Sequence, residues 1–138
     1  MYPEELVAPM RAELASTGFE ELKTPEDVDR VMSEKTGSVL VVVNSVCGCA
    51  AGMARPSAIH AVANSEAKPD KLTTVFAGVD GEATSKMREY CLPYPPSSPS
   101  MALFKDGELV HFIERHHIEG RTAEMVAQNL MAAFKEYL

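Results

Sequence analysis

The chain predicts an α/β domain in which a central mixed sheet of four strands is flanked by helices and preceded by a helical extension. Three observations carry this. Residues 39–43 (Val39-Leu40-Val41-Val42-Val43) are apolar without alternation, the pattern of a strand covered on both faces. A second buried strand, residues 72–77, follows after a stretch compatible with a helix, which makes a strand–helix–strand unit. Two further apolar runs are joined by Asp106-Gly107, a tight-turn signal that predicts a β-hairpin. With 138 residues, 46% of them hydrophobic and 24% charged, the chain suits one domain, 1–138. Residues 1–37 form the helical extension and 38–138 the core.

Each element has its own justification. Residues 3–16 read as a helix with Leu6, Met10 and Leu14 on one stripe, and Pro9 is expected to bend or interrupt it. The next helix opens on Thr24 as N-cap, with Pro25 in the first turn and then acidic Glu26 and Asp27. Its inner face is Val28, Val31 and Met32, and Gly37 is expected to end it. After the 39–43 strand come Asn44, Ser45 and Val46, then Cys47-Gly48-Cys49, then a helix to about residue 63 that Pro56 is expected to kink. Asp80 is expected to cap a helix whose inner face holds Ala83, Met87 and Tyr90 or Cys91. Residues 92–99 form a proline-dense loop, 100–105 and 109–113 are the hairpin strands, and 122–138 is a terminal helix with Val126, Leu130 and Phe134 inside. This order of elements is the thioredoxin-like layout.

Composition narrows the function classes. Twenty acidic against 13 basic residues give a net charge of −7, which argues against nucleic acid as the main partner. No apolar stretch approaches the roughly 20 residues needed to span a bilayer. The first residues show no basic leader or apolar signal core, so a cytoplasmic location is the expectation, with no membrane partner. Three cysteines in such a chain do not suggest a structural disulfide framework.

The residues that bear chemistry are Cys47 and Cys49. They lie one residue apart where a buried strand gives way to a helix, so the positive end of the helix dipole favours thiolate, the form that attacks sulfur. Gly48 gives the backbone freedom to bring the sulfurs together. Cys47 is the expected attacking thiol and Cys49 the expected resolving one, both catalytic. A metal site or an inert pair are the alternatives; the other potential ligands, Cys91, His60, His111, His116 and His117, lack a matching spacing, and no metal ligands are assigned. In a thioredoxin-like layout, Ser98-Pro99 packs against the cysteine turn, and a cis-proline there would expose backbone groups to a substrate strand. Gly48, Ser98 and Pro99 are therefore the expected substrate-binding residues. Cys91 reads as a buried, inert thiol, His116-His117 as surface or helix-entry residues, and Arg55 as a solvated helix charge. Asn44 and Ser45 flank the turn at positions from which they would hydrogen-bond a thiolate.

The stretch Val41-Val42-Val43-Asn44-Ser45-Val46-Cys47-Gly48-Cys49-Ala50-Ala51-Gly52 closely resembles the bacilliredoxin family. So do Val75-Phe76-Ala77-Gly78, Lys86-Met87-Arg88-Glu89-Tyr90, Pro96-Ser97-Ser98-Pro99-Ser100-Met101-Ala102-Leu103 and Arg115-His116-His117-Ile118-Glu119-Gly120. The likeness runs essentially end to end. It implies a thioredoxin-like oxidoreductase that removes bacillithiol from proteins carrying it as a mixed disulfide, with Cys47 matching the attacking cysteine, Cys49 the resolving one and Pro99 the cis-proline. The implied partners are bacillithiol-modified client proteins, a low-molecular-weight thiol and a thiol reductant for recycling. Bacillithiol enters as co-substrate, no cofactor is bound, and the expected state is a monomer. A general disulfide reductase or isomerase with no bacillithiol preference is the alternative, and a metal-binding module the remote one.

Overall fold

A computed structural model of the chain describes residues 2–46 and 48–138, with Cys49 described by its backbone alone. The elements in order are α1 (Glu4–Ala15), β1 (Glu20–Glu21), α2 (Pro25–Met32), β2 (Ser38–Asn44), α3 (Gly48–Asn64), β3 (Lys71–Phe76), α4 (Gly81–Tyr90), β4 (Ser100–Lys105), β5 (Glu108–Ile113) and α5 (Ala123–Tyr137). A short 3₁₀ turn, Arg115–His117, separates β5 from α5.

The sheet runs β1-β3-β2-β4-β5, with β1, β3 and β2 mutually parallel and β4 and β5 antiparallel. It therefore has five strands, one more than the sequence predicted. The extra strand is the two-residue β1, which pairs Glu20 with Thr73 and Glu21 with Thr74. Two glutamates give no apolar pattern, so the strand owes its existence to its neighbour. Residues 1–37 thus contribute an edge strand as well as helices.

All seven residues of β2 are buried, and its lack of alternation has a direct cause. Leu40 and Val42 point into a core built with α3 and α5, around Ala54, Ala58, Leu130 and Phe134. Val39, Val41 and Val43 point into a second core with α2 and α4, around Val28, Val31, Met87 and Phe104. The alanines of α3 let it approach the sheet and α5 closely. Burying this much apolar surface at about 25 cal/mol per Å² is the main favourable term in the fold.

Several expectations are corrected. In α1 the residues that reach the core are Val7 and Leu14, whereas Leu6 is exposed. Pro9 does not interrupt α1, in which its ring sits on the exposed face, and α3 continues past Pro56 to Asn64. α2 stops at Met32; Gly37, at φ +83°, serves the turn into β2 instead of capping the helix. Asp80 stands at the N-cap of α4 but makes no side-chain cap. Its carboxylate instead takes two hydrogen bonds from Arg11, at 2.8 and 3.1 Å. Arg11 also donates to Glu21 at 3.1 Å and lies over the Phe76 ring, 5.2 Å from its centroid. The Thr24 cap forms as expected, accepting from the Asp27 amide, and Thr122 caps α5 by accepting from the Met125 amide. Among the described residues, no helix is long and apolar enough to cross a membrane.

Candidate active site

The site grows from the end of β2. After Asn44 the chain leaves the sheet and re-forms as α3 at Gly48, whose amide donates to the Val46 carbonyl at 2.8 Å. Gly48 has φ +42° and a Cβ there would meet nothing within 4 Å, so the glycine is needed for its backbone conformation and not for space. Cys47 lies outside the described residues, between Val46 and Gly48. Cys49 sits in the first turn of α3, where the free amides and the helix dipole concentrate positive potential.

Behind this turn is a buried brace. Arg55 is only 8% exposed, so the reading of it as a solvated charge is corrected. Its Nη1 donates to the Ser45 carbonyl and to Asn44 Oδ1, each at 3.0 Å, and its Nε donates to Glu13 at 2.9 Å. Asn44 is fully engaged: Oδ1 also accepts from the Ser45 amide at 2.9 Å, and Nδ2 donates to the Met10 carbonyl at 3.2 Å. The Asn44 carbonyl takes the Ala77 amide at 3.0 Å. Asn44 therefore fixes the departure of the chain from the sheet, tying it to α1, to β3's exit and to α3. A buried guanidinium needs such acceptors, because unpaired burial of a charge costs several kcal/mol. Sequence reading missed this brace because its members are spread over residues 10–77. The one legible signal was the position of Arg55 two helical turns into α3.

The cis-proline loop arrives from the other side. The Ser98–Pro99 peptide is cis, as is Leu92–Pro93. Pro99 is buried and Ser98 half-buried. The next residue, Ser100, pairs with Val43 of β2 in an antiparallel register. That register carries Pro99 and Ser98 alongside the end of β2, where the cysteine turn begins. Ser98's carbonyl accepts from Arg115 Nη1 at 3.0 Å, and the Arg115 amide donates to Ser97 Oγ at 3.4 Å.

Cys91, the remaining thiol, caps α4 from inside the second core and is 4% exposed. Burial pushes its pKa up from 9.0 to about 11, against a weaker pull from Arg88. The reading of Cys91 as a packed thiol agrees with this environment.

Glu114, His116 and His117 can bring one ligand atom each within 4.8 Å of the others. Their hydrogen bonds serve a different purpose. His117 Nδ1 accepts from the Glu114 amide at 3.1 Å, which places the ring proton on Nε2, and His116 Nε2 meets the Glu114 carboxylate at 2.9 Å. The Glu114 side chain in turn accepts from the His117 amide, and this reciprocal Glu114–His117 pair is a capping box that organises the 3₁₀ turn, in keeping with a helix-entry histidine. Burial, then the neighbouring His116, holds the His117 pKa below the ordinary histidine value.

Comparisons with known proteins identify the family and the fold. A family model described as disulphide isomerase matches residues 2–138. A bacilliredoxin of Cytophaga hutchinsonii is 61% identical over 136 residues, which cover 99% of each chain. A bacilliredoxin of Geobacillus kaustophilus is 59% identical over 136 residues, covering 99% of this chain and 94% of that one. Among solved structures, Fasciola hepatica thioredoxin aligns with a TM-score of 0.60 at 17% identity, over 87% of this chain and all of that one. Mitochondrial thioredoxin 3 of Saccharomyces cerevisiae aligns with a TM-score of 0.58 at 17% identity, over 90% and 98% of the two chains. These structures share the thioredoxin fold with this chain.

Proposed function

The chain belongs to the bacilliredoxin family and is a thiol–disulfide oxidoreductase, and we propose that it removes bacillithiol from proteins modified with it. The observation that supports the reading is the strand end at Asn44 and Ser45, clamped by Arg55 and followed at Gly48 by a helix start, in a stretch whose sequence is Cys47-Gly48-Cys49. Cys47 thiolate attacks the bacillithiol sulfur of a modified client. A Cys47–bacillithiol bond forms, the client–bacillithiol bond breaks, and the client sulfur leaves as thiolate and takes a proton. A second bacillithiol then attacks the adduct, releasing bacillithiol disulfide and free Cys47. In the other branch Cys49 thiolate displaces bacillithiol and closes the Cys47–Cys49 disulfide, which a thiol reductant reopens. The backbone around Gly48, Ser98 and Pro99 offers edge groups to the client strand.

The test incubates reduced wild type and Cys49→Ser with a bacillithiol-modified client and follows intact masses. Client restored while bacillithiol accumulates on Cys47 of Cys49→Ser is the expected result. A client left untouched by reduced wild type overturns the reading. The description of the matching family as disulphide isomerase favours a second reading, a general reductase or isomerase. Equal rates on glutathione and bacillithiol mixed disulfides, with efficient unscrambling of a misfolded client, would select it.

A further inference from the structure

A pocket of about 380 Å³ opens between the first turns of α3 and the chain linking β5 to α5. Ala50, Met53 and Ile118 give it an apolar floor, and Arg115, Glu119 and Arg121 a charged rim. Its position is informative. Ala50 follows Cys49 directly, and Arg115 donates to the carbonyl of Ser98, next to the cis-proline. The pocket thus lies beside both the thiol turn and the cis-proline loop. The body of a small thiol has to lie somewhere close to its sulfur when that sulfur is bonded to the turn, and this volume is of the size that holds a small ligand.

The rim suggests which thiol. Arg115 and Glu119 pair with each other and largely cancel. Arg121 is exposed; it touches the His116 carbonyl at 3.4 Å and meets no carboxylate among the described residues. Elsewhere Arg11, Arg30 and Arg55 each hold a carboxylate, as expected in a chain of net charge −7. The pocket therefore carries one uncompensated positive charge in an acidic protein. We propose that it is a subsite for the small thiol of the mixed disulfide, that it selects thiols bearing a carboxylate, and that Arg121 receives that carboxylate. The proposal rests on the thiol-transfer reading above and adds the chemical class of thiol.

The test uses the full-length reduced protein and one neutral cysteine peptide, capped in turn as its mixed disulfide with mercaptosuccinate, mercaptoethanol or cysteamine. In each case the protein thiolate takes the small thiol, and the peptide thiol that leaves is measured. The ratio of wild-type to Arg121→Gln rate is taken for each disulfide, which cancels intrinsic reactivity. The ratio for mercaptosuccinate should exceed that for mercaptoethanol about fivefold, with cysteamine lowest, and added salt should shrink the spread. Arg121→Lys should restore part of the preference, and thermal unfolding checks that both variants fold. Equal ratios for all three thiols, with exchange intact, overturn the subsite and leave the oxidoreductase reading standing. Acceleration by aspartates flanking the peptide cysteine, and not by the acidic thiol, also overturns it, because the carboxylate then belongs to the client. Failure of every mixed disulfide to react overturns the thiol-transfer reading and takes the subsite with it.

Discussion

Cys91 and the turn that bears Cys47 and Cys49 are two settings for the same side chain, about as different as one small domain allows. Cys91 lies in the second core with Met87, Val75 and Phe104, and burial holds it as a thiol to about pH 11. The turn stands at the start of a 17-residue helix, with the buried Arg55 guanidinium bonded to the strand end that leads into it. The contrast teaches that one fold offers two environments to cysteine, a helix start beside a fixed charge and an apolar enclosure that holds the proton on the thiol.

The largest expected effect breaks the comparison at its reactive end. Cys47→Ser should lower exchange about a thousandfold or more, read as release of client thiol, because the nucleophile is gone. Retained activity would show that Cys47 is not the attacking residue.

Arg55→Gln comes next. It strips Glu13 of its partner and leaves Asn44 and the Ser45 carbonyl short of a donor. Stability should fall by about 2 kcal/mol, and exchange should slow about tenfold as the turn loses its fixed position. Arg55→Lys, which keeps the charge without the fork, should fall in between. Full exchange rates in Arg55→Gln would mean that the brace serves stability alone.

At the inert end, Cys91→Ala should leave exchange unchanged, and in the wild type Cys91 should resist alkylation at pH 7 until the protein unfolds. The pH dependence follows from the raised pKa. Between pH 9 and about 11 the unfolded chain has lost the Cys91 proton and the folded chain keeps it, so stability falls as pH rises through this window. The loss should be on the order of 2–3 kcal/mol by pH 11 and absent in Cys91→Ala. Denaturant midpoints across the range decide it.

The smallest effect concerns His117. Its lowered pKa means that the unfolded chain binds a proton more readily, so stability should decline as pH drops below the ordinary histidine value of 6.5. His117→Gln should flatten that slope in thermal unfolding; an unchanged slope would remove His117 from the account.

What could be read from the chain follows from how local its causes are. β2 was legible because burial on both faces removes alternation, and α2 because Thr24, Pro25 and two acids cluster at its start. The hairpin was legible in Asp106-Gly107, whose φ values of +51° and +84° suit those residues. Cys91 was legible from its place after Ala83 and Met87. The face of α1 was not, because one helix carries apolar residues on more than one side and only packing selects Val7 over Leu6. Asp80 has the right residue type for a cap, but a guanidinium 69 residues away claims its carboxylate. Arg55, an ordinary surface residue type, is buried only because Glu13, Asn44 and Ser45 meet it there, and no local pattern announces such a meeting.

The Arg11–Asp80 clamp also sets a schedule. A chain is made from its N-terminus, so Arg11 emerges from the ribosome 69 residues ahead of the carboxylate that will hold it. At ordinary synthesis speeds that interval is on the order of several seconds. Both thiols of the cysteine turn are made within it. Both cysteines therefore leave the ribosome before the first helix can be fastened to the start of α4, so that α1 is anchored late although it is made first.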